Sequence, residues 1–306
     1  MERYTKIGRE TPATPSAVAL GYFDGVHRGH QTVLEAACSF AGQSLRPAAF
    51  TYTADRSSRA NERQNSALTT PSERDALLAK AGIERVFCPV FSEFMEMSAE
   101  EFFQRVLRSW IRAEVLCCGE DFRFAKNAAA DVSVLEALCK AEGIPLKVLP
   151  RLQSEGEPVC SRRIRQLLLE GDAQSAADLL GYRYGYSFPV EEGNRIGRTL
   201  SFPTINQYFA EGKLIPRFGV YASETILDGK HYSSVTNIGV KPTVGSDRPL
   251  SETYIEGFSG DLYGKRVEVR LIGYLRSEEK FSDISALRAA IAADCAKSRE
   301  LFSPSL

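Results

Sequence analysis

Two of the three histidines in the sequence lie at a glycine-rich turn near its N-terminus. His27 and His30 follow an apolar run at 18–20 and precede a helical pattern at 31–39. Gly21, Gly25 and Gly29 in the same stretch let the backbone approach a ligand closely. The first turn of a helix leaves about four N–H groups without intrahelical partners and favours an anion. Imidazoles can donate hydrogen bonds to oxygens that gain charge. The turn therefore favours a nucleotide polyphosphate; the alternative is an ordinary strand–helix connection in which the histidines cap or pack.

A second stretch that suits phosphate chemistry occupies residues 193–206. Its glycines and arginines lead into a Pro-Thr-x-Asn turn, so backbone N–H groups, guanidinium groups and a hydroxyl can surround a nucleotide phosphate. Thr204 and Asn206 offer neutral oxygens, which suit a magnesium ion that keeps several of its waters. The stretch is not a Walker A loop, because the lysine and its spacing are missing.

Strands alternate with helices over about the first 150 residues. Apolar runs indicate strands and periodic segments indicate helices; the strands fall at 18–20, 47–52, 85–90, 113–119 and 146–149. Thr70 and Ser98 each precede a glutamate by three residues, which indicates two capping boxes, and 54–64 is predicted to be a loop. This alternation favours a doubly wound parallel sheet, in which ligands bind beyond the carboxyl ends of the strands.

The pattern changes from Tyr184 onwards to short strands with frequent glycine turns, including a hairpin turn at Asp228 and Gly229. Turn signals spaced roughly 8 to 12 residues apart favour an antiparallel barrel. A closing helix is predicted over 282–301, with one apolar face: Ile284, Leu287, Ile291 and Cys295.

Composition narrows the class of protein. The 306 residues suggest two domains, and the formal net charge of −1 argues against a nucleic-acid partner. No apolar run approaches the roughly 20 residues that cross a bilayer, and the first residues lack the apolar core of a secretory signal, so we expect a cytoplasmic protein with no membrane partner. The seven cysteines are dispersed, which argues against a disulfide framework or a zinc site and predicts mostly small core residues.

Residues 21–30 read Gly-Tyr-Phe-Asp-Gly-Val-His-Arg-Gly-His, which resembles the HxGH motif of nucleotidyltransferases in the form found in bacterial bifunctional riboflavin kinase/FMN adenylyltransferases. Residues 119–124 resemble that family's G-x-D-F-x-F segment, and 159–165 its S-S-T-x-x-R segment. The resemblance implies that His27 and His30 stabilise charge during adenylyl transfer. It also implies phosphate or nucleotide binding by Gly21, Phe23, Asp24, Gly25, Gly29, Asp121, Ser161 and Arg165.

Residues 193–206 resemble the riboflavin kinase signature G-x-x-x-G-R-x-x-G-F-P-T-A-N, and three later segments at 218–222, 236–243 and 251–255 resemble the same family in the same order. The resemblance implies that Glu252 is the general base and that Thr204 and Asn206 hold magnesium. It further implies nucleotide binding by Gly193, Gly197, Arg198 and Pro203, and flavin contacts by Arg276, Phe281 and Arg299.

The resemblance implies a nucleotidyltransferase domain over 1–181, built as a doubly wound parallel α/β sheet. A riboflavin kinase domain over 182–306 would follow, built as a small antiparallel β-barrel with a C-terminal helix. The substrates would be riboflavin, FMN and ATP, with Mg²⁺ as cofactor.

Residues 125–130 hold alanines where the family has glycines, and because alanine tolerates positive φ poorly, this loop cannot follow the family's path if those glycines are there to supply positive φ. This departure leaves open an alternative in which only the kinase is active and the first domain is a nucleotide-binding or structural module. A flavin- or nucleotide-binding regulator without chemistry is a further alternative.

Overall fold

The computed structural model describes residues 1–42, 44–53, 66–192, 202–240 and 248–302. The chain forms two compact units, Met1–Ser161 and Arg162–Leu306. The loop predicted at 54–64 lies outside the described residues. Among the described helices, none has both the length and the apolar character needed to cross a membrane.

The first unit is built on a parallel sheet of six strands, as the alternation predicts, in the order β1-β4-β3-β2-β5-β6. The chain order reverses between β2 and β5, which is the switch point where doubly wound sheets bind ligands. The strands are β1 Glu2–Tyr4, β2 Ser16–Leu20, β3 Arg46–Phe50, β4 Arg85–Phe87, β5 Ala113–Gly119 and β6 Leu146–Leu149, followed by a small hairpin of β7 Gln153–Ser154 and β8 Glu157–Pro158.

Helices cover both faces of this sheet, so alternate residues of β2 enter different cores. Val18 and Leu20 join one apolar cluster, and Ala17 and Ala19 join the other. The helices of the unit are α1 Arg28–Cys38, α2 Pro71–Lys80, α3 Ala99–Glu101 with its π-helical continuation Phe102–Trp110, and α4 Val132–Ala141. Five of the seven cysteines are buried, as the composition predicts.

Both predicted capping boxes are confirmed. The Thr70 side chain accepts from the Glu73 backbone N–H, and the Glu73 carboxylate accepts from the Thr70 N–H. Ser98 and Glu101 exchange the same two hydrogen bonds at the start of α3. These local signals therefore set where two helices begin.

The loop at 125–130 adopts positive φ at two of its alanines. Ala125 has φ +66° and ψ 176°, and Ala128 has φ +54°. Phe124 and Ala130 exchange backbone hydrogen bonds across the loop, and the Lys126 N–H donates to the Met97 carbonyl. These bonds hold the backbone in a region that alanine rarely occupies, so the loop stores strain.

The second unit contains an antiparallel sheet of six strands in the order β10-β13-β12-β11-β14-β9. The Glu191 N–H donates to the Asn206 carbonyl, and the Gln207 side chain donates to the Phe188 carbonyl, so the two edge strands meet and the sheet closes towards a barrel. The strands are β9 Gly185–Pro189, β10 Thr204–Tyr208, β11 Gly219–Leu227, β12 Lys230–Val240, β13 Pro249–Ile255 and β14 Arg266–Arg276. Asp228 and Gly229, with φ +47° and +77°, form the predicted hairpin turn.

Hydroxyl groups join three neighbouring strands inside this barrel. Thr236 of β12 lies 2.8 Å from Ser223 of β11 and 2.8 Å from Thr253 of β13, oxygen to oxygen, and all three side chains are fully buried. Buried hydroxyls without partners would destabilise the core, so this chain of hydrogen bonds favours one strand register.

Three helices complete the second unit: α5 Ser161–Glu170, whose first residue belongs to the first unit, α6 Ala173–Leu180 and α7 Ile284–Leu301. Helix α7 packs Ile291 and Cys295 on the outer face of the barrel, against Val220 and Val235. Ile284, predicted to share that apolar face, is 63% exposed because it begins the helix beyond the packed surface.

Candidate active sites

The turn after β2 has an unusual backbone. Phe23, Gly25 and Val26 have φ values of +55°, +77° and +36°. A positive φ strains a β-branched residue such as Val26, and strain of this kind clusters at functional sites. The Tyr22 carbonyl accepts from the Thr51 hydroxyl at 2.8 Å and from the Arg74 guanidinium at 3.2 Å, which fixes the start of the turn.

The structure brings His27 and His30 together. Their rings stack with centroids 3.6 Å apart, and His27 Nδ1 accepts from the His30 backbone N–H at 3.2 Å, which caps helix α1. Because Nδ1 accepts, the neutral His27 ring carries its proton on Nε2, which is then its donor. His27 is only 5% exposed, whereas His30 is half-buried.

The His30 ring is held in its neutral form. Burial, and after it the neighbouring charge of His27, lower the pKa of His30 well below its usual range. His30 Nδ1 is buried and has no hydrogen-bond partner among the described residues. No hydrogen bond from the described residues would therefore compete with a ligand at this nitrogen.

Gly29 is required by close packing at the start of α1. A Cβ at this position would lie 3.3 Å from the His27 ring and 3.4 Å from the Val159 carbonyl oxygen. The segment that leads into α5 therefore lies directly against the histidine turn. Gly21 is similar, because its Cβ would lie 3.0 Å from the Phe23 ring.

Asp24 connects the turn to its surroundings. It is 3% exposed, and its Oδ1 accepts from the backbone N–H groups of Leu68 and Thr69 at 2.9 and 3.2 Å. The Asp24 carbonyl accepts from the Ser161 hydroxyl at 2.9 Å, and Ser161 is the first residue of α5 rather than its cap. These contacts favour a role for Asp24 in positioning the turn, because its carboxylate already accepts protein donors.

The other nucleotide candidates of the first motif set are more exposed. Asp121 follows β5 at the ligand edge of the sheet and pairs with Arg151 at 3.1 Å. Arg165 lies one helical turn after Ser161 on α5 and is half-buried.

In the second unit, the strand register places Asn206 and Glu252 side by side. Asn206 of β10 pairs with Glu252 of β13, and Glu252 pairs in turn with Asn237 of β12. Direct cross-strand partners point to the same face with Cβ atoms about 5 Å apart. The three side chains therefore form a row on the outer face of the barrel, and Thr204 lies on that face two residues before Asn206.

The donor atoms of this row fit a magnesium ion bound with phosphate. Asn206 is 8% exposed, and its Oδ1 is buried without a hydrogen-bond partner among the described residues. No group of three or more His, Cys, Asp or Glu side chains that could hold a metal occurs in the described part of the chain. A cation here would need neutral oxygens, waters and ligand phosphate, and magnesium keeps several of its waters and binds substrate phosphates in protein sites.

Two of the three flavin candidates lie together. The Arg276 guanidinium is 5.4 Å from the centroid of the Phe281 ring and forms a two-pronged ion pair with Asp294 of α7. Arg299, on the same helix, pairs instead with Glu256. Both ion pairs join α7 to the barrel.

Part of the second motif lies outside the described residues: Gly193, Gly197 and Arg198. Pro203 is exposed immediately before β10. Asn237 lies in the motif at 236–243 but is not among the predicted site residues, because only strand register shows its relation to Glu252. The fully buried Glu224, which pairs with His231 at 2.7 Å and with Arg183 at 3.2 Å, is not among them either.

Comparison with known proteins finds a matching family model for each half of the chain. A family model described as FAD synthetase matches residues 10–163, and one described as riboflavin kinase matches residues 180–302. The bifunctional riboflavin kinase/FMN adenylyltransferase of Pseudomonas fluorescens is 32% identical over 297 residues, covering 94% of this chain and 93% of that protein. The Listeria monocytogenes protein of the same name is 31% identical over 290 residues, covering 93% and 92%.

A solved structure has the same fold over its full length. The crystal structure of a macrolide-efflux protein from Streptococcus pneumoniae has a TM-score of 0.89 at 25% identity and covers 99% of this chain and 100% of that one. The name of that protein differs from the names of the sequence relatives, and its structure supports the architecture of the chain. Two family models in order along the chain, and relatives above 30% identity over nearly all of it, lead to one assignment. The chain belongs to the bifunctional riboflavin kinase/FMN adenylyltransferase family.

Proposed function

We propose that this enzyme makes FMN from riboflavin and ATP, and FAD from FMN and a second ATP. The observation that carries the proposal is the presence of both family domains in one chain that aligns with bifunctional relatives over nearly its whole length. Both reactions use ATP, so we further propose that the enzyme works in the cytoplasm. The alternative with an active kinase alone is not favoured, because the FAD synthetase match spans the histidine turn and the sheet.

In the first unit, we assign adenylyl transfer to the histidine turn. A phosphate oxygen of FMN attacks the α-phosphorus of ATP, and pyrophosphate leaves without a covalent enzyme intermediate. Negative charge grows on the phosphate oxygens as this happens. The stacked His27 and His30 rings and the start of α1 would stabilise that charge, and Ser161 would hold a phosphate group. Arg165 remains a proposed phosphate contact.

In the second unit, we assign phosphoryl transfer to the outer face of the barrel. The 5′-hydroxyl of riboflavin attacks the γ-phosphorus of ATP, and ADP leaves. Glu252 takes the hydroxyl proton, a task that contributes about 10²–10⁴-fold to the rate in enzymes. Positioning of the two substrates supplies much of the rest.

Thr204 and Asn206 would hold a magnesium ion beside Glu252. When bound, this ion neutralises charge on the ATP phosphates. Its fit rests on the buried, unpartnered Asn206 Oδ1 within the described residues. Gly193, Gly197, Arg198 and Pro203 remain proposed contacts for the same nucleotide.

Chromatographic analysis of the products made from riboflavin, ATP and magnesium tests the function. We expect wild-type enzyme to yield FMN and FAD. Glu252→Gln should lower FMN formation at least 100-fold and leave FAD formation from supplied FMN within twofold. His30→Ala should lower FAD formation about 100-fold and leave FMN formation within twofold.

Each variant is the control for the other, because each should lose one reaction and keep the other. FMN without FAD from the wild-type enzyme would instead support the alternative with the kinase alone. Neither product would support a regulator without chemistry.

A further inference from the structure

Asn237 lies half-buried on the outer face of β12. Going along that face, Ser233 contacts Ser298 of α7, and Val235 packs in the same apolar cluster as Cys295. At the other end, a Cβ on Gly239 would lie 2.4 Å from the Glu278 carboxylate, so only a glycine lets Glu278 lie there. Asn237 lies between the part of this face that α7 covers and the part that Glu278 covers, and it is the cross-strand partner of Glu252.

Only one of the two polar atoms of the Asn237 amide has a hydrogen-bond partner among the described residues. Its Nδ2 donates to Glu278 Oε1 at 2.9 Å, which orients the group. Its Oδ1 is buried and accepts no hydrogen bond from the described residues. No described residue donates to Oδ1, so this oxygen is available to accept a hydrogen bond from a ligand.

The strand order indicates which ligand supplies that donor. The magnesium candidates lie on β10, Glu252 on β13, Asn237 on β12, and the flavin candidate Arg276 on β14, with β11 between. The attacking hydroxyl must reach both the γ-phosphorus and the Glu252 carboxylate. Asn237 lies on the side of Glu252 away from the metal candidates and towards the strand of Arg276, where we expect the flavin to approach.

We infer that Asn237 is a substrate-binding residue of the kinase, whose Oδ1 accepts a hydrogen bond from a hydroxyl of the ribityl chain of riboflavin. This inference rests on the proposed kinase function. The ribityl hydroxyls are the donors adjacent to the 5′-hydroxyl that Glu252 would bind. Glu278 acts through Asn237 as a positioning residue, because it accepts from the amide nitrogen and so orients the amide group.

The test is steady-state FMN formation by the full-length enzyme. Asn237→Ala should raise the KM for riboflavin about five- to tenfold, the loss of one hydrogen bond, and change the KM for ATP less than twofold. Ser233→Ala, on the same face of the same strand, is the matched control and should leave both constants within twofold. Glu278→Gln keeps an acceptor for the amide and should resemble the wild type. Glu278→Ala should raise the KM for riboflavin to a value between those of the wild type and Asn237→Ala.

Riboflavin analogues that lack the 2′-, 3′- or 4′-hydroxyl separate ligand binding from a general structural effect. With the analogue that lacks the hydroxyl bound by Asn237, the wild type and Asn237→Ala should have the same KM for that analogue. A penalty that persists with all three analogues would overturn the inference, as would a raised KM for ATP or an unchanged KM for riboflavin. If the wild type makes no FMN at all, the proposed function fails instead.

Discussion

At the scale of single residues, the neutral state of His30 has a consequence for stability. Burial lowers its pKa well below 6.5 in the folded protein, while the unfolded chain keeps a value near 6.5. Between those two values the unfolded state binds more protons, so stability falls as the pH falls through this window and is fully present above it.

We therefore expect the free energy of unfolding of the first unit to drop by about 1 kcal/mol from pH 6.5 to pH 5.5 through His30 alone. His30→Gln should remove this part of the pH dependence. The single tryptophan, Trp110, is buried in the first unit, so urea unfolding followed by its fluorescence measures the relevant transition. Equal pH dependence in the two proteins would contradict the assignment.

At the scale of elements, the strained loop at 125–130 gives a second prediction. Ala125 occupies a backbone region that is essentially reserved for glycine. Ala125→Gly should stabilise the first unit by about 1 kcal/mol, because it relieves strain that exceeds the added freedom of glycine in the unfolded chain.

Ala129 provides the matched control for that prediction, because its φ of −71° and ψ of −28° are ordinary for alanine. Ala129→Gly should destabilise the unit by about 0.5–1 kcal/mol. Both changes are measured by the same Trp110 fluorescence. A loss of stability in Ala125→Gly as large as in Ala129→Gly would show that the loop is not strained.

The elements also show how far the sequence could predict the structure. The capping boxes at Thr70 and Ser98 and the turn at Asp228 were predictable, because each depends on residues within four positions. The pairing of Asn206 with Glu252 was not, since register between distant strands is set by the whole barrel. The positive φ of Ala125 was not predictable either, because backbone hydrogen bonds across the loop override the local preference of alanine.

At the scale of the whole molecule, each proposed reaction belongs to a different family domain. If FMN leaves the kinase freely before adenylylation, two damaged chains should complement each other. An equimolar mixture of Glu252→Gln and His30→Ala should then make FAD from riboflavin, whereas neither variant alone should do so at an appreciable rate. The FAD should appear after a lag in which FMN accumulates, and its absence over hours would mean that FMN passes only within one chain.

The buried hydroxyl chain of Ser223, Thr236 and Thr253 links folding of the barrel to its chemistry. Moving β12 or β13 by one position would turn Asn237 or Glu252 inward and leave hydroxyls facing the wrong partners. A misaligned barrel would thus be both less stable and catalytically inert, so the molecules in a preparation that have this core in place are also the ones equipped to phosphorylate riboflavin.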